Sequence, residues 1–131
     1  MGKTLFVIDT MPLLYRGHFV FLKNPRMTGT GLNTSALHGF AATLVQILAG
    51  HKPTHAALVF DSLTPTFRHR EYPAYKAQRQ KMPEDIAAAI PMAVELAEAL
   101  RIPVLRVDGF EADDLMGSLA EAAAGKGFET F

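Results

Sequence analysis

The chain has 131 residues, of which 49% are hydrophobic and 20% are charged, and its formal net charge at pH 7 is zero. This composition excludes a disordered chain, and the zero net charge gives no overall field that would attract nucleic acid or a membrane. The absence of cysteine excludes disulfides and thiolate metal sites, and the apolar start at residues 4–8 is too short for a signal peptide or a membrane span. We therefore expect one globular, cytoplasmic domain whose binding sites are set by local clusters of charge.

The first part of the chain predicts a strand and a helix. Residues 4–9 form a short apolar run that ends on an aspartate, as is typical of a strand buried on both faces of a parallel sheet. A connector that contains two glycines, residues 23–32, leads to a helix that Asn33 or Thr34 caps and Gly50 ends. The apolar residues of this helix recur at helical spacing: Leu37, Phe40, Ala41, Leu44, Ile47 and Leu48.

The middle of the chain repeats this order. Residues 55–61 form a second apolar run that ends on an aspartate, and they predict a second buried strand. A helix is predicted from Pro83 to Leu100, and Pro91 should kink it or divide it in two. A third apolar run at residues 102–108 predicts a third strand of the same kind.

The end of the chain predicts a helix from Glu111 to Gly125 and a strand that begins near Phe128. Strands that alternate with helices indicate an α/β fold with an open, mostly parallel sheet and right-handed crossovers. Because the chain stops inside the last strand, we expect it to be part of a larger α/β domain.

Four carboxylates are predicted to meet at one edge of this sheet, even without a metal. Asp9 and Asp61 end two buried strands, while Glu111 and Asp113 follow the third strand directly. Open α/β sheets bind ligands outside the carboxyl ends of their strands. Carboxylates so close together need cations to stay ionised, and oxygen ligands select hard ions, so the pattern predicts a Mg²⁺ or Mn²⁺ site. Taken singly, each has an ordinary alternative: a turn residue after a strand, or helix capping by Asp113 with Asp114.

A second group of residues is basic. Residues 67–81 contain five of the 13 Lys and Arg residues, interleaved with two tyrosines. Cationic groups neutralise phosphates and aromatic rings stack on unpaired bases, so this basic segment is a candidate surface for nucleic acid. A solvated surface segment is the alternative. The residues concerned are Arg68, Arg70, Tyr72, Tyr75, Lys76, Arg79 and Lys81.

A smaller feature follows the first strand, at residues 13–19. Tyr15 and Arg16 are suited to stack on a base and to bind a phosphate. The alternative is an ordinary helix with Leu13, Leu14 and Phe19 in the core and the arginine in solvent.

The remaining polar residues are assigned structural roles. The five histidines, at positions 18, 38, 51, 55 and 69, do not have the spacing of metal ligands. Asp85 follows Pro83 in the first turn of a helix, and Asp108 is a turn residue. Gly29 and Gly31 follow no strand, which excludes a dinucleotide-binding motif.

Three segments carry a resemblance to a known family: "VIDTMPLLYR", "LVFDSLTPTFRHREYPAYKAQRQKMPED" and "VDGFEADDLMGSLA". In this order they resemble the 5′-nuclease family, which includes the 5′–3′ exonuclease domain of bacterial DNA polymerase I, its stand-alone relatives and the flap endonucleases. The resemblance implies a PIN-like fold and structure-selective hydrolysis of DNA at 5′ ends, nicks and flaps, in replication and repair. It also implies two Mg²⁺ or Mn²⁺ ions and a monomeric protein.

The resemblance also implies roles for individual residues by matched position. Lys76 and Arg79 would face the scissile phosphate as catalytic residues. The metal ligands would be Asp9, Asp61, Glu111 and Asp113, with Asp114 nearby. The DNA contacts would be Tyr15, Arg16, Arg68, Arg70, Tyr72, Tyr75 and Lys81.

Two features differ from the family pattern. Gly17 follows the arginine of the first helix, where a bulkier residue is usual. The family's further aspartates and its helix-hairpin-helix element do not fall within residues 1–131. We therefore expect a truncated domain, its N-terminal portion only, with negligible activity alone and an exposed sheet edge through which copies associate. A small PIN-type ribonuclease and a non-catalytic DNA-binding fragment are the alternatives.

Overall fold

The computed structural model describes residues 2–61 and 82–131. In chain order the elements are β1 (Lys3–Asp9), α1 (Thr10–Val20), α2 (Ser35–His51), β2 (His55–Val59), α3 (Glu84–Ala99), β3 (Val104–Leu105), α4 (Ala112–Ala124) and β4 (Phe128–Thr130). These described residues form two compact units. The sheet unit contains the four strands and α4, and the helical unit contains α1, α2 and α3. Within the described residues, every helix is too short or too polar to span a bilayer.

All the strand pairings of the sheet unit are parallel, in the order β3-β2-β1-β4, which confirms the predicted α/β fold. Strands β1, β2 and β3 align at their carboxyl ends, since Asp9 is level with Val59 and Val59 is level with Leu105. Strand β2 is one of the two inner strands. Its last residue, Val59, and the next residue, Phe60, have no exposed surface and belong to the core. The sequence between β1 and β2 is long, so the carboxyl edge of the sheet collects residues that are far apart in the chain.

Strand β3 is shorter than the apolar run at residues 102–108 predicts, because both ends of that run form other hydrogen bonds. At the start, the Ile102 N–H donates to the Ala97 carbonyl at 2.8 Å, within the helical unit. At the end, the Phe110 N–H donates to the Val107 carbonyl at 3.2 Å and closes a turn. Only the two residues between them pair with β2 as strand.

In the helical unit, α1 packs on α2 through a pair of glycines. A Cβ atom built on Gly17 would lie 2.8 Å from the carbonyl oxygens of both Ser35 and Ala36, and 3.0 Å from Gly39 Cα. A Cβ atom built on Gly39 would likewise overlap with the backbone of Gly17. The helix axes therefore approach so closely that no side chain fits at the crossing, which explains the glycine after the arginine of α1.

Helix α2 begins as predicted but ends two residues later than expected. The Asn33 Oδ1 atom accepts hydrogen bonds from the Ser35 N–H at 3.0 Å and from the Ser35 hydroxyl at 2.6 Å, which satisfies a free donor at the helix start. Gly50 lies inside the helix, so the prediction that it ends α2 is wrong. Lys52 takes the left-handed conformation instead, with φ of 46°, and its N–H donates to the Leu48 carbonyl.

Helix α3 runs without a break from Glu84 to Ala99, so Pro91 does not divide it in two. Proline lacks the N–H that would donate to the carbonyl of Ala87. Both Ala87 and Pro91 are exposed on the helix surface. Water can therefore hydrate the carbonyl that has lost its partner, and the helix continues.

Candidate active site

The candidate site lies at the carboxyl edge of the sheet unit. Asp9 is the last residue of β1, which lies between β2 and β4. Asp61 follows β2 by two residues. Glu111 directly precedes α4, the helix that follows β3. The topology therefore brings the predicted carboxylates to one edge of one sheet.

A hydrogen bond joins two of these elements. The Ala112 N–H donates to the Asp61 Oδ1 atom at 2.8 Å across a separation of 51 residues. Ala112 is the first residue of α4, so its N–H is one of the donors that an isolated helix leaves free. The carboxylate of Asp61 also faces the positive end of the helix dipole. This contact fixes the end of β2 against the start of α4.

Local capping holds the start of α4. The Glu111 N–H donates to the Asp114 Oδ2 atom at 2.9 Å. Glu111 is the N-cap residue, with φ of −87° and ψ of 164°, and it is 6% exposed. Asp113 lies exposed in the first turn. The capping interpretation is therefore confirmed for Asp114.

The carboxylates do not form a ready set of metal ligands. Within residues 2–61 and 82–131, no three His, Asp or Glu side chains are arranged so that they could hold a metal ion. The cluster that we expected without metal is therefore absent from this part of the chain. Asp61 and Asp114 each accept a hydrogen bond from a backbone N–H with one carboxylate oxygen.

The donor chemistry of this edge nevertheless fits a hard divalent cation. All of its candidate ligands are carboxylates, and oxygen donors suit Mg²⁺ or Mn²⁺. An ionised carboxylate has about four lone-pair sites, so the bond from Ala112 to Asp61 does not exclude a cation.

The structure confirms a helix at residues 13–19 and corrects its predicted core. Leu14 of α1 is fully buried, as the helical alternative requires, and Arg16 is exposed. Phe19, however, is 62% exposed, so its assignment to the core is wrong. It lies on the opposite side of the helix from the residues that face α2. Binding of DNA by Tyr15 and Arg16 stays a prediction.

The basic segment lies outside the described residues. The predictions for it therefore stay predictions, and they concern Arg68, Arg70, Tyr72, Tyr75, Lys76, Arg79 and Lys81.

The sequence analysis did not identify a positively charged side chain, that of Arg106, at the carboxyl edge. Arg106 directly follows β3, and its guanidinium carbon lies 4.9 Å from the ring centroid of Phe60. Such stacking is favourable by about 0.5–2 kcal/mol. The buried Nε atom of Arg106 has no hydrogen-bond partner among the residues that the structure describes. No local signal predicted this contact, because it depends on the pairing of β3 with β2.

Comparison with known proteins identifies the family. Residues 4–131 match the family described as "5′-3′ exonuclease, N-terminal resolvase-like domain", and the chain belongs to this family. The resemblance seen in its motifs is thereby confirmed.

The similar proteins include bacterial DNA polymerases. The chain is 48% identical over 122 residues to DNA polymerase I of Treponema pallidum, which covers 93% of this chain and 12% of that protein. It is 39% identical over 131 residues to DNA polymerase I of Bacillus caldotenax, which covers 98% of this chain and 14% of that protein. The chain thus spans only a small part of the length of these relatives.

Solved structures confirm the PIN-like α/β fold. The 5′-exonuclease of bacteriophage T5 with bound zinc superimposes with a TM-score of 0.71 at 17% identity, covering 98% of this chain and 47% of that one. The T5 flap endonuclease in a pseudo-enzyme–product complex with DNA and metal ions gives a TM-score of 0.69 at 17% identity, with the same coverage.

Proposed function

We propose that this chain forms the metal-binding part of a 5′–3′ exonuclease and 5′-flap endonuclease that acts on DNA in replication and repair. Membership of the exonuclease family supports this proposal, as does the relationship to bacterial DNA polymerase I. The observation that carries it is the contact between Asp61 and Ala112, which joins the end of β2 to the acidic start of α4. A structural domain would gain little from concentrating carboxylates where strands end.

The proposed metal ligands are Asp9, Asp61, Glu111 and Asp113, which would hold one of the two Mg²⁺ or Mn²⁺ ions of the intact domain and contribute to the second. When bound, such ions polarise a phosphodiester, activate water and stabilise the leaving oxygen. The protein supplies the frame: Asp114 caps the helix start that presents Glu111 and Asp113. The zinc in the T5 5′-exonuclease and the metal ions in the T5 flap endonuclease support a divalent metal site in this fold.

The basic segment and α1 would handle the DNA. Lys76 and Arg79 would contact the scissile phosphate and offset its developing negative charge. Tyr15 and Arg16 would contact the 5′ strand, by stacking and by phosphate binding respectively. The DNA in the T5 flap endonuclease complex supports a nucleic-acid substrate. We infer that the chain is the N-terminal portion of its domain, and that the intact protein acts as a monomer.

Substitution of Asp61 by Asn tests the function in the complete gene product. An amide oxygen can still accept the hydrogen bond from Ala112, so the fold should be retained while the charge is lost. We expect Asp61→Asn to lower the single-turnover rate on a 5′-labelled flap in Mg²⁺ by about a thousandfold or more. Its melting temperature should stay within about 2 °C of wild type.

The matched control is Asp108→Asn, which makes the same change at an exposed turn residue to which no part in metal or DNA binding is assigned. This variant should cleave at the wild-type rate. Chelation of divalent ions should abolish cleavage by wild type and by Asp108→Asn. Equal cleavage by Asp61→Asn and wild type, or cleavage that survives chelation, would contradict the proposed metal site.

A further inference from the structure

Arg106 is a cation at the carboxyl edge of the sheet unit, and stacking holds it in place. It directly follows β3, and its guanidinium carbon lies 4.9 Å from the ring centroid of Phe60. Phe60 has no exposed surface, so its ring is a fixed support for the planar cation. Within residues 2–61 and 82–131, the Arg106 side chain makes no hydrogen bond and no ion pair with a carboxylate.

The guanidinium of Arg106 is partly shielded from water. Its Nε atom is buried and has no hydrogen-bond partner in the described part of the chain, whereas the residue as a whole is only partly buried. The outer nitrogens are therefore the part of the guanidinium that can reach a ligand. A cation that has lost water along one edge, without gaining a protein acceptor there, is stabilised by an anion at its other edge.

Arg106 lies next to the proposed metal site, within the same compact unit. The Phe60 N–H donates to the Leu105 carbonyl at 3.0 Å, so the two chain segments are still paired where their strands end. Asp61, a proposed metal ligand, follows Phe60 directly. Because neighbouring strands lie about 4.8 Å apart, the backbones of Arg106 and Asp61 are close to each other.

The register of the sheet places Arg106 on the opposite face from Asp9. Level residues of paired strands share a face, and successive residues alternate between the two faces. Asp9 is level with Val59, which is level with Leu105, so the next residue, Arg106, lies on the other face. Its stacking on Phe60, the residue after Val59, agrees with this placement. A group bound by Arg106 would therefore lie beside the metal site and not in it.

We propose that Arg106 binds a phosphate of the DNA strand that neighbours the scissile phosphate. This inference rests on the proposed function, because it takes the substrate to be DNA. A guanidinium presents parallel N–H donors that match the oxygens of a phosphate. Consecutive phosphates of one strand would then meet the metal site and Arg106 in turn. Arg106 thereby helps to set which phosphodiester of the strand lies at the metal site.

The first test is the salt dependence of binding of a 5′-flap duplex by the complete gene product, with Ca²⁺ in place of Mg²⁺ so that equilibrium affinity is measured. Arg106→Gln should raise the Kd about tenfold. It should also lower the slope of log Kd against log salt concentration by about 1, because one fewer phosphate is neutralised. Arg106→Lys keeps the charge and should keep the wild-type slope.

Lys126→Gln is the matched control, since Lys126 is exposed and lies between α4 and β4, at the opposite edge of the same sheet. It also removes one positive charge, and it should leave the Kd and the slope unchanged. Loss of stacking on Phe60 should lower the melting temperature of Arg106→Gln, but lower stability alone does not change the slope. A wild-type slope for Arg106→Gln, or an equal fall for Lys126→Gln, would overturn the inference.

The second test changes the DNA and not the protein. Each phosphate on either side of the cleavage position is replaced in turn by a neutral methylphosphonate. For wild type, the replacement at the phosphate that Arg106 contacts should raise the Kd about tenfold, whereas for Arg106→Gln it should change the Kd by less than about twofold, because the contact is already lost. Equal effects on wild type and variant at every position would overturn the inference. Failure of the wild type to bind the unmodified flap would overturn the proposed function itself.

Discussion

Helices α3 and α4 begin with the same acidic signal and use it in different ways. Each has two acidic residues in its first turn. In α4, Asp114 turns back and accepts a hydrogen bond from the Glu111 N–H of its own helix start. In α3, Asp85 instead pairs with His18 of another helix. The N-cap of α3 is Pro83, which makes no side-chain cap.

The difference shows that a helix start can hold a carboxylate for two reasons. The helix dipole favours a negative charge in either first turn. Whether the carboxylate then caps its own backbone or reaches another element depends on the partner that the fold provides. Asp61 provides a second carboxylate at the start of α4, where it accepts from the Ala112 N–H. The start of α4 thus belongs to the candidate site, whereas the start of α3 connects helices.

The largest expected effect tests the packing that places α1, and hence His18, in the helical unit. Gly39→Ala introduces a methyl group that would overlap with Gly17 and lie 3.1 Å from its backbone nitrogen. Because both atoms belong to packed helices, we expect the free energy of unfolding to fall by about 2–3 kcal/mol. Urea denaturation of the complete gene product would measure this change.

Gly117→Ala is the matched control, because it makes the same change inside α4 with no atom within 4 Å of the new Cβ. It should raise the free energy of unfolding by up to about 1 kcal/mol, since alanine favours the helix. If Gly39→Ala were also stabilising, the close crossing of α1 and α2 would be wrong.

A smaller effect tests local capping at the start of α4. Asp114→Ala removes the acceptor for the Glu111 N–H, and we expect it to lower the free energy of unfolding by about 1 kcal/mol. Asp113→Ala changes an exposed carboxylate of the same turn and should stay within about 0.5 kcal/mol of wild type. Denaturant unfolding measures both variants. Equal losses in the free energy of unfolding would show that the effect comes from removing a negative charge and not from removing a cap.

The sheet and its carboxyl edge were predictable because their signals are local. An apolar run that ends on an aspartate specifies both the strand and the edge at which Asp9 and Asp61 lie. The helix from Glu111 to Gly125 was predicted from its acidic start and its glycine, which are the N-cap and C-cap of α4. The fold class therefore follows from short segments, each read without knowledge of the others.

The features that were not predicted depend on partners that are distant in the chain. The contact between His18 and Asp85 joins two helices, and the sequence of neither helix indicates that the other is its partner. The same is true of Arg106, whose stacking on Phe60 requires β3 to pair with β2. The arrangement of the carboxylates was missed for a different reason: Asp61 and Asp114 accept hydrogen bonds from the free backbone N–H groups at the start of α4, which an expectation of shared metal ligands did not consider.

The smallest expected effect concerns the end of α2, where a local signal gave the wrong residue. Gly50 lies inside the helix with no atom within 4 Å of an added Cβ, and Lys52 takes the left-handed conformation. Gly50→Ala should therefore stabilise the protein by about 0.5 kcal/mol, because it removes backbone entropy from the unfolded chain. Lys52→Gly should also be stabilising, by up to about 1 kcal/mol, because glycine adopts positive φ without strain. Had Gly50 been the left-handed residue, alanine there would be strained and both signs would reverse. Thermal unfolding of the two variants beside wild type thus decides which residue ends the helix.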